Sequence, residues 1–203
     1  MRKATKIGLT IIIIAGIGVS IWLISSYSPA TNPLPLGDSP ALNLPFNDVN
    51  YLDFIRGFGN VTPSFYHNGN DFGFNGTTVI VAPCAAIVTQ VQFWYNENGG
   101  HWQTSLSLRL NQDWSLELYF ESFASTQDEG QLQANAVTVK IGDAVTANQT
   151  LGQLLRQGSG SHVHLGVMHQ NVAVCPYNYL MPAAKNIYDT QFSSLNSSVA
   201  PCM

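Results

Sequence analysis

The sequence has few charged side chains, and positive ones are the scarcest. Only 10% of its 203 residues are charged, with 8 Lys and Arg against 12 Asp and Glu. Three of the basic residues precede position 7, which leaves 5 basic residues against 12 acidic ones in the rest of the chain. Such a chain offers no basic patch for phosphate groups, so we expect no nucleic-acid partner.

Cysteines are also scarce, and their spacing argues against a cysteine-rich zinc site. Cys84, Cys175 and Cys202 are the only three, and none forms a Cys-x-x-Cys pair. An oxidising compartment would allow one disulfide and leave one thiol. The pair Cys175–Cys202, which would tie down the end of the chain, is favoured over Cys84–Cys175. Zinc ligation by cysteine is the weaker alternative.

One long apolar run is present, at residues 7–24. Eighteen helical residues span about 27 Å, close to the hydrocarbon thickness of a bilayer. Basic residues precede the run and the next one is Arg56, which predicts a cytoplasmic N-terminus. Residues 1–25 are therefore predicted to be a cytoplasmic stub and single-pass membrane anchor. A signal peptide cleaved near residues 28–30 is the alternative, which would make the protein secreted. In either case the remainder is extracytoplasmic.

Composition divides the rest of the chain into three parts. Residues 26–45 are rich in Pro, Ser and Asn and predict a linker. Residues 46–182 are long enough for one domain with its own core, and residues 183–203 form a polar tail of uncertain structure. A short helix is predicted at residues 48–56.

Strand patterns dominate the domain. They are clearest at residues 105–110 and 115–120, where leucines alternate with polar residues and predict a hairpin. Further strands are predicted at residues 77–82, 87–95, 137–140, 150–154 and 163–168. The pattern predicts an all-β fold, a mainly antiparallel sheet or sandwich.

Three of the five histidines fall in two short motifs. His67 and Asp71 are separated by Asn-Gly-Asn, which favours a turn that brings them together. His162 and His164 are separated by one residue and would share a face of a strand. Two imidazoles and a carboxylate with a fourth position open to water are typical of catalytic zinc. The alternative for any single histidine is an ordinary surface or hydrogen-bonded role.

The order of several motifs resembles the lysostaphin/LytM-type zinc endopeptidases. The matching segments are His-Asn-Gly-Asn-Asp at 67–71, Gly-Thr-Thr-Val-Ile-Val-Ala at 76–82, Gly-Asp-Ala-Val at 142–145, Gly-Ser-Gly-Ser-His-Val-His at 158–164 and Pro-Tyr-Asn-Tyr-Leu at 176–180. The second has one residue more than the family pattern. Each segment is a weak signal, whereas their order and spacing across about residues 65–180 are a strong one.

The resemblance implies a β-rich LytM-like peptidase domain that cuts peptides in cell-wall peptidoglycan. Its zinc ligands would be His67, Asp71 and His164. His162 would be the catalytic histidine that stabilises the oxyanion or relays a proton.

One position departs from the family pattern. Glu121 stands where the family has a second catalytic histidine, on the strand predicted at 115–120 or directly after it. Glu121 could act as a general base, could mark lost or altered activity with zinc retained, or could be a solvated surface residue. His101, in a Gly-Gly-His loop, could also reach the site or simply be exposed.

The function predicted from these residues is a membrane-anchored extracytoplasmic zinc metallopeptidase acting on peptide bonds, with cell-wall peptide as substrate. The alternative is a weak or inactive LytM-like domain that binds cell-wall peptide or regulates an envelope protein. A lipoyl-carrier reading of residues 142–145 is disfavoured, because no lysine sits at a suitable hairpin tip.

Overall fold

The computed structural model describes residues 33–62, 64–195 and 200–203. The apolar run at residues 7–24 lies outside these ranges, so the membrane anchor stays a prediction. Across the described ranges, no helix combines the length and apolar character that a membrane crossing requires.

The described residues form twelve strands, two α-helices and one 3-10 helix. The strands are β1 (Leu52–Arg56), β2 (Gly59–Thr62), β3 (Phe65–His67), β4 (Asn70–Phe74), β5 (Thr78–Val81), β6 (Ala86–Asn96), β7 (His101–Arg109), β8 (Trp114–Ala124), β9 (Ala144–Val145), β10 (Thr150–Leu154), β11 (His162–His169) and β12 (Val172–Val174). The helices are α1 (Gln127–Asn135), the 3-10 helix Pro176–Tyr179 and α2 (Pro182–Ser194).

A central antiparallel sheet contains most of these strands. Its order is β1-β4-β11-β8-β7-β6-β9, and β12 pairs with β11. Two small antiparallel pairs, β5 with β10 and β2 with β3, complete the strand pairing. The prediction of a mainly antiparallel β fold is therefore confirmed for the described residues.

The predicted hairpin is β7–β8. Leu106 lies opposite Leu118, and Leu108 lies opposite Leu116. All four leucines are fully buried, so one face of the hairpin packs into the core as the alternation predicted. The opposite face of β8 carries polar residues toward the site.

The core also receives side chains from both ends of the described chain. Leu42 and Leu44 lie in the segment predicted to be a linker, yet both are buried. Tyr188 of α2, in the segment predicted to be a tail, is also buried, and its hydroxyl accepts a hydrogen bond from Asn70 Nδ2 at 3.2 Å. Helix α2 thereby contacts strand β4 next to the site.

Two local predictions were wrong. Residues 48–56 contain strand β1 rather than a helix, and the β1–β4 register shifts between Leu52 and Phe54. This irregularity buries Leu52 and Ile55, three apart, and the spacing imitates a helical face. At residues 137–140 only Val137 pairs, in an isolated bridge to Gly152.

Candidate metal centre and catalytic cleft

Three strands bring the predicted metal ligands together. His67 ends β3, and the chain turns at once into β4, which carries Asp71. Strand β11 pairs with β4 so that His164 lies directly opposite Asp71. The Asn-Gly turn and the antiparallel register therefore place three side chains from two sequence motifs at one point, and each is at most 5% exposed.

The three candidate ligand atoms form a small triangle. His67 Nε2 lies 3.0 Å from Asp71 Oδ1, Asp71 Oδ1 lies 2.9 Å from His164 Nδ1, and the two imidazole nitrogens are 3.2 Å apart. A tetrahedral zinc site with bonds of roughly 2.0–2.1 Å has ligand atoms roughly 3.3 Å apart. The triangle therefore fits a zinc ion with only a slight expansion.

The hydrogen bond behind the His67 ring also fits a metal ion at this triangle. Its Nδ1 lies 2.7 Å from the carbonyl oxygen of Gly57, and only an N–H can donate to that oxygen. The Nε2 of the neutral ring then presents a lone pair to the Asp71 carboxylate, which is itself an acceptor. A proton or a metal ion must lie between them, and a backbone carbonyl behind a ligand histidine is the usual support for a metal site.

The other oxygen of Asp71 faces a positive charge. Arg56 Nη1 contacts Asp71 Oδ2 at 3.0 Å. Burial alone would raise the pKa of Asp71, but hydrogen bonds with His164 and His67 hold this pKa well below its ordinary value. The carboxylate is therefore ionised, with Oδ2 on Arg56 and Oδ1 directed to the candidate metal position.

His162 lies beside this triangle, on the same face of β11 as His164. Its Nδ1 donates to the Gly160 carbonyl at 2.8 Å, while its Nε2 lies 3.5 Å from Glu121 Oε1 and 3.6 Å from Asp71 Oδ1. Burial lowers the pKa of His162, but the two carboxylates outweigh it and raise that pKa above its ordinary value.

Glu121 lies between two imidazoles. His162 contacts one oxygen, and His101 Nε2 contacts the other, Oε2, at 3.0 Å. Burial opposes ionisation, yet hydrogen bonds with His101 and His162 lower the pKa of Glu121 to about 2. The Glu121 side chain is thus paired and only 14% exposed, which excludes the solvated surface role.

His101 is the member of the cleft to which the sequence pattern assigns no preferred role. It begins β7, is 3% exposed, and its Nδ1 lies 3.1 Å from the carbonyl oxygen of Gly99. The hydrogen bond with Glu121 raises the pKa of His101. The Gly99-Gly100 turn before it was the available sequence signal, but the pairing with Glu121 depends on the β7–β8 register.

All five predicted site residues line one open cleft of about 540 Å³, together with His101. Aromatic rings form much of its wall, contributed by Phe65, Tyr66, Trp94, Tyr119 and Phe123.

Phe123 has an unusual backbone for a bulky residue, with φ of 59°. Residues 121–123 of β8 stand opposite the single Gln103 of β7, because the register shifts there. This bulge carries the Phe123 ring over the site, 4.3 Å from the His101 ring and 5.6 Å from the His162 ring, measured between centroids.

Position 69, at the metal centre, has room only for glycine. A Cβ at this position would lie 2.5 Å from both His164 Nε2 and the Leu165 carbonyl oxygen. Any side chain would therefore displace a candidate ligand or its strand.

The structure is similar to several solved peptidases. A proposed M23 peptidase from Pseudomonas aeruginosa has 19% identity and a TM-score of 0.49, covering 73% of this chain and 54% of that one. The antimicrobial peptidase lysostaphin from Staphylococcus simulans has 19% identity and a TM-score of 0.48, covering 73% and 56%. A zinc-containing peptidase from Vibrio cholerae has 18% identity and a TM-score of 0.47, covering 66% and 38%.

No protein-family model matches the sequence, and no curated protein matches it. The chain spans about half the length of the first two solved structures and less of the third. The chain resembles M23 peptidases of the LytM type at low sequence identity, as its motifs predicted, and the likeness concerns the fold.

Proposed function

We propose that this chain is an extracytoplasmic zinc metallopeptidase that hydrolyses peptide bonds, with bacterial cell-wall peptide as its substrate and residues 7–24 as its membrane anchor. The observation that carries the proposal is the convergence of His67 Nε2, Asp71 Oδ1 and His164 Nδ1 within 3.2 Å of one another. Two nitrogen ligands and one oxygen ligand, buried at the base of an open cleft, suit zinc in a hydrolase.

A zinc ion in this site supplies Lewis-acid activation of a peptide carbonyl and of water. His162 stands beside it with Nδ1 fixed on the Gly160 carbonyl, so its Nε2 is the atom free to hold a proton. An N–H there can donate to the oxygen on which negative charge develops. His162 is therefore the candidate oxyanion donor.

Glu121 orients both imidazoles and raises the pKa of each. One oxygen accepts from His101 Nε2 at 3.0 Å and the other lies 3.5 Å from His162 Nε2, while the Nδ1 atoms of both rings donate to backbone carbonyls. Aromatic side chains line the same cleft.

The experiment is to measure zinc content and peptidoglycan hydrolysis on the purified full-length chain. Hydrolysis is read as new amino termini released from isolated cell wall. Bound zinc with release of peptide termini supports the proposal, and His164→Ala must abolish both. Absence of zinc from the wild-type chain would overturn it.

A second function is favoured by one observation: both carboxylate oxygens of Glu121 face imidazoles, with His101 Nε2 at 3.0 Å and His162 Nε2 at 3.5 Å. A carboxylate with a pKa of about 2 is a weak base, so it replaces a catalytic histidine poorly. A zinc-bearing domain that binds cell-wall peptide or an envelope protein without cutting it would have such a site. Zinc without hydrolysis, with activity gained in Glu121→His, would favour this binding function.

A further inference from the structure

Residues 200–203, which we call the C-terminal segment, are the last described residues of the chain. They are held against residues 56–59, which support the metal ligands. A disulfide joins Cys202 to Cys175, as the sequence predicted. Cys175 is buried and directly follows β12, which pairs with β11, the strand that carries His162 and His164. The disulfide thus ties the C-terminal segment to the central sheet.

Backbone hydrogen bonds attach this segment to Phe58. Phe58 N–H donates to the Pro201 carbonyl, and Met203 N–H donates to the Phe58 carbonyl, both at 3.0 Å. Phe58 and Cys202 form a parallel bridge. The segment therefore adds a short strand beside residues 57–59.

The contact with the C-terminal segment leaves no room for a side chain at position 57 or position 59. A Cβ on Gly57 would lie 2.6 Å from the Ala200 carbonyl oxygen, and a Cβ on Gly59 would lie 2.3 Å from the Met203 carbonyl oxygen. Because Gly57 and Gly59 both approach the backbone of the C-terminal segment this closely, the position of that segment is tightly restricted.

Residues 56–59 in turn hold two candidate ligands. The Gly57 carbonyl accepts the Nδ1 proton of His67 at 2.7 Å, and Gly59 pairs with His67 in the β2–β3 ladder. The neighbouring Arg56 binds the Oδ2 of Asp71. A displacement of this segment would rotate the His67 ring and release Asp71 from its cation.

We infer that the disulfide-held C-terminal segment is a positioning device for the metal site, which sets zinc affinity through the Gly57 carbonyl and His67. The inference rests on the proposed zinc site and adds to it a dependence on an oxidised Cys175–Cys202 pair. Loss of a hydrogen-bond partner behind a ligand histidine typically lowers metal affinity about 10- to 100-fold.

The first test compares zinc affinity, by competition with a chelating dye, in the full-length chain and in its Cys175→Ser/Cys202→Ser variant. Serine is used rather than a thiol reductant, since free thiols bind zinc. We expect the double variant to bind about 10- to 100-fold more weakly, and Cys84→Ser, which removes the free thiol, to bind as the wild type does. Unchanged affinity in a folded double variant would overturn the inference.

Loss of the disulfide costs stability, so a second variant keeps it. Gly57→Ala pushes on Ala200 while the cysteines and the Gly57 carbonyl remain. We expect weaker zinc binding and an altered visible spectrum of the cobalt-loaded protein. Gly130→Ala is the matched control, because its Cβ would meet Trp102 Cβ at 2.4 Å, away from the C-terminal segment. We expect that variant to lose stability but retain affinity and spectrum.

The outcomes separate the two proposals. A wild-type chain without zinc would overturn the proposed function and this inference together. A wild-type chain with zinc, whose Gly57→Ala variant binds zinc equally well with an unchanged cobalt spectrum, would overturn the inference alone.

Discussion

Glu121 Oε2 lies 3.0 Å from His101 Nε2, so the carboxylate of β8 is paired with an imidazole from the adjacent strand β7. The other carboxylate oxygen faces His162, which stands next to the candidate metal ligands. A chain of contacts through His101, Glu121 and His162 therefore links strand β7 to the metal centre.

Glu121→Gln should retain zinc and lose most hydrolysis. The amide keeps the size of the side chain but removes the charge that raises the pKa of both imidazoles. General acid–base groups contribute about 10²- to 10⁴-fold to rate, and we expect a loss in that range. Zinc content and initial rates of terminus release check this. Loss of zinc from the variant would instead place Glu121 among the ligands.

His101→Gln should remove part of the pH dependence of stability. The pKa of His101 is raised by Glu121, so its stabilising contribution is complete below about pH 6.5 and is lost as pH rises through the raised value. The pKa of Glu121, lowered to about 2, keeps it ionised throughout this range. Urea unfolding of metal-free wild type and variant from pH 5 to 9 should show a stability difference that shrinks as pH rises. A constant difference would contradict the pairing. His162 also faces Glu121, but it is present in both the wild type and the variant, so the difference between them reports on His101.

His164→Ala should reduce zinc from about one equivalent to none. The change removes one of the three converging ligand atoms and leaves His67 and Asp71 without a third partner. His169→Ala, at the other end of β11 where the ring stacks on Trp114, is the matched control and should keep zinc. Metal analysis after dialysis decides, and full zinc content in His164→Ala would refute the ligand assignment.

Gly69→Ala should weaken zinc binding without any change of a ligand. The new methyl group would enter the space of His164 Nε2, at 2.5 Å, so the ring or its strand must move. Gly166→Ala is the control, because this glycine lies within β11 and a Cβ there would meet Glu117 Cβ at 3.3 Å and the same His164 Nε2 only at 3.7 Å. Competition titrations should show weaker binding only for Gly69→Ala. Equal affinities would mean that the ring has room to adjust.

Alternation in the sequence was sufficient to predict the centre of the sheet. Leu106, Leu108, Leu116 and Leu118 follow a strict period of two, and a single buried face permits only one register. The same argument placed His162 and His164 on one face, with Val163 and Leu165 in the core. Where one face of a strand is buried and the other is polar, the sequence pattern alone predicts which residues face the core.

The helices were harder to predict because they bury little. Helix α1 has only Gly130 and Gln133 buried, so no apolar period marks it. Its signal was the capping box, in which Thr126 Oγ1 accepts from Glu129 N–H and the Glu129 carboxylate accepts from Thr126 N–H. At β1 a helix was predicted where the structure has a strand, because the buried residues of this irregular strand are spaced like those of a helix.

The site was predictable where its residues were close in sequence. His67 and Asp71 belong to one turn, and His162 and His164 to one strand, so spacing alone joined each pair. His101 and Glu121 are 20 residues apart, and their contact depends on the register shift at residues 121–123. No local pattern records such a shift, which is why the role of His101 could be assigned only with the structure.

The left-handed backbone of Phe123 opposes stability at the place where the cleft is formed. A bulky residue held in such a conformation costs of order 1–3 kcal/mol, which a glycine at the same position would not lose. The strain is retained because only this bend sets an aromatic ring against His101 and His162. A substitution that relieved this strain would therefore stabilise the chain and, at the same time, remove the aromatic ring from the cleft wall.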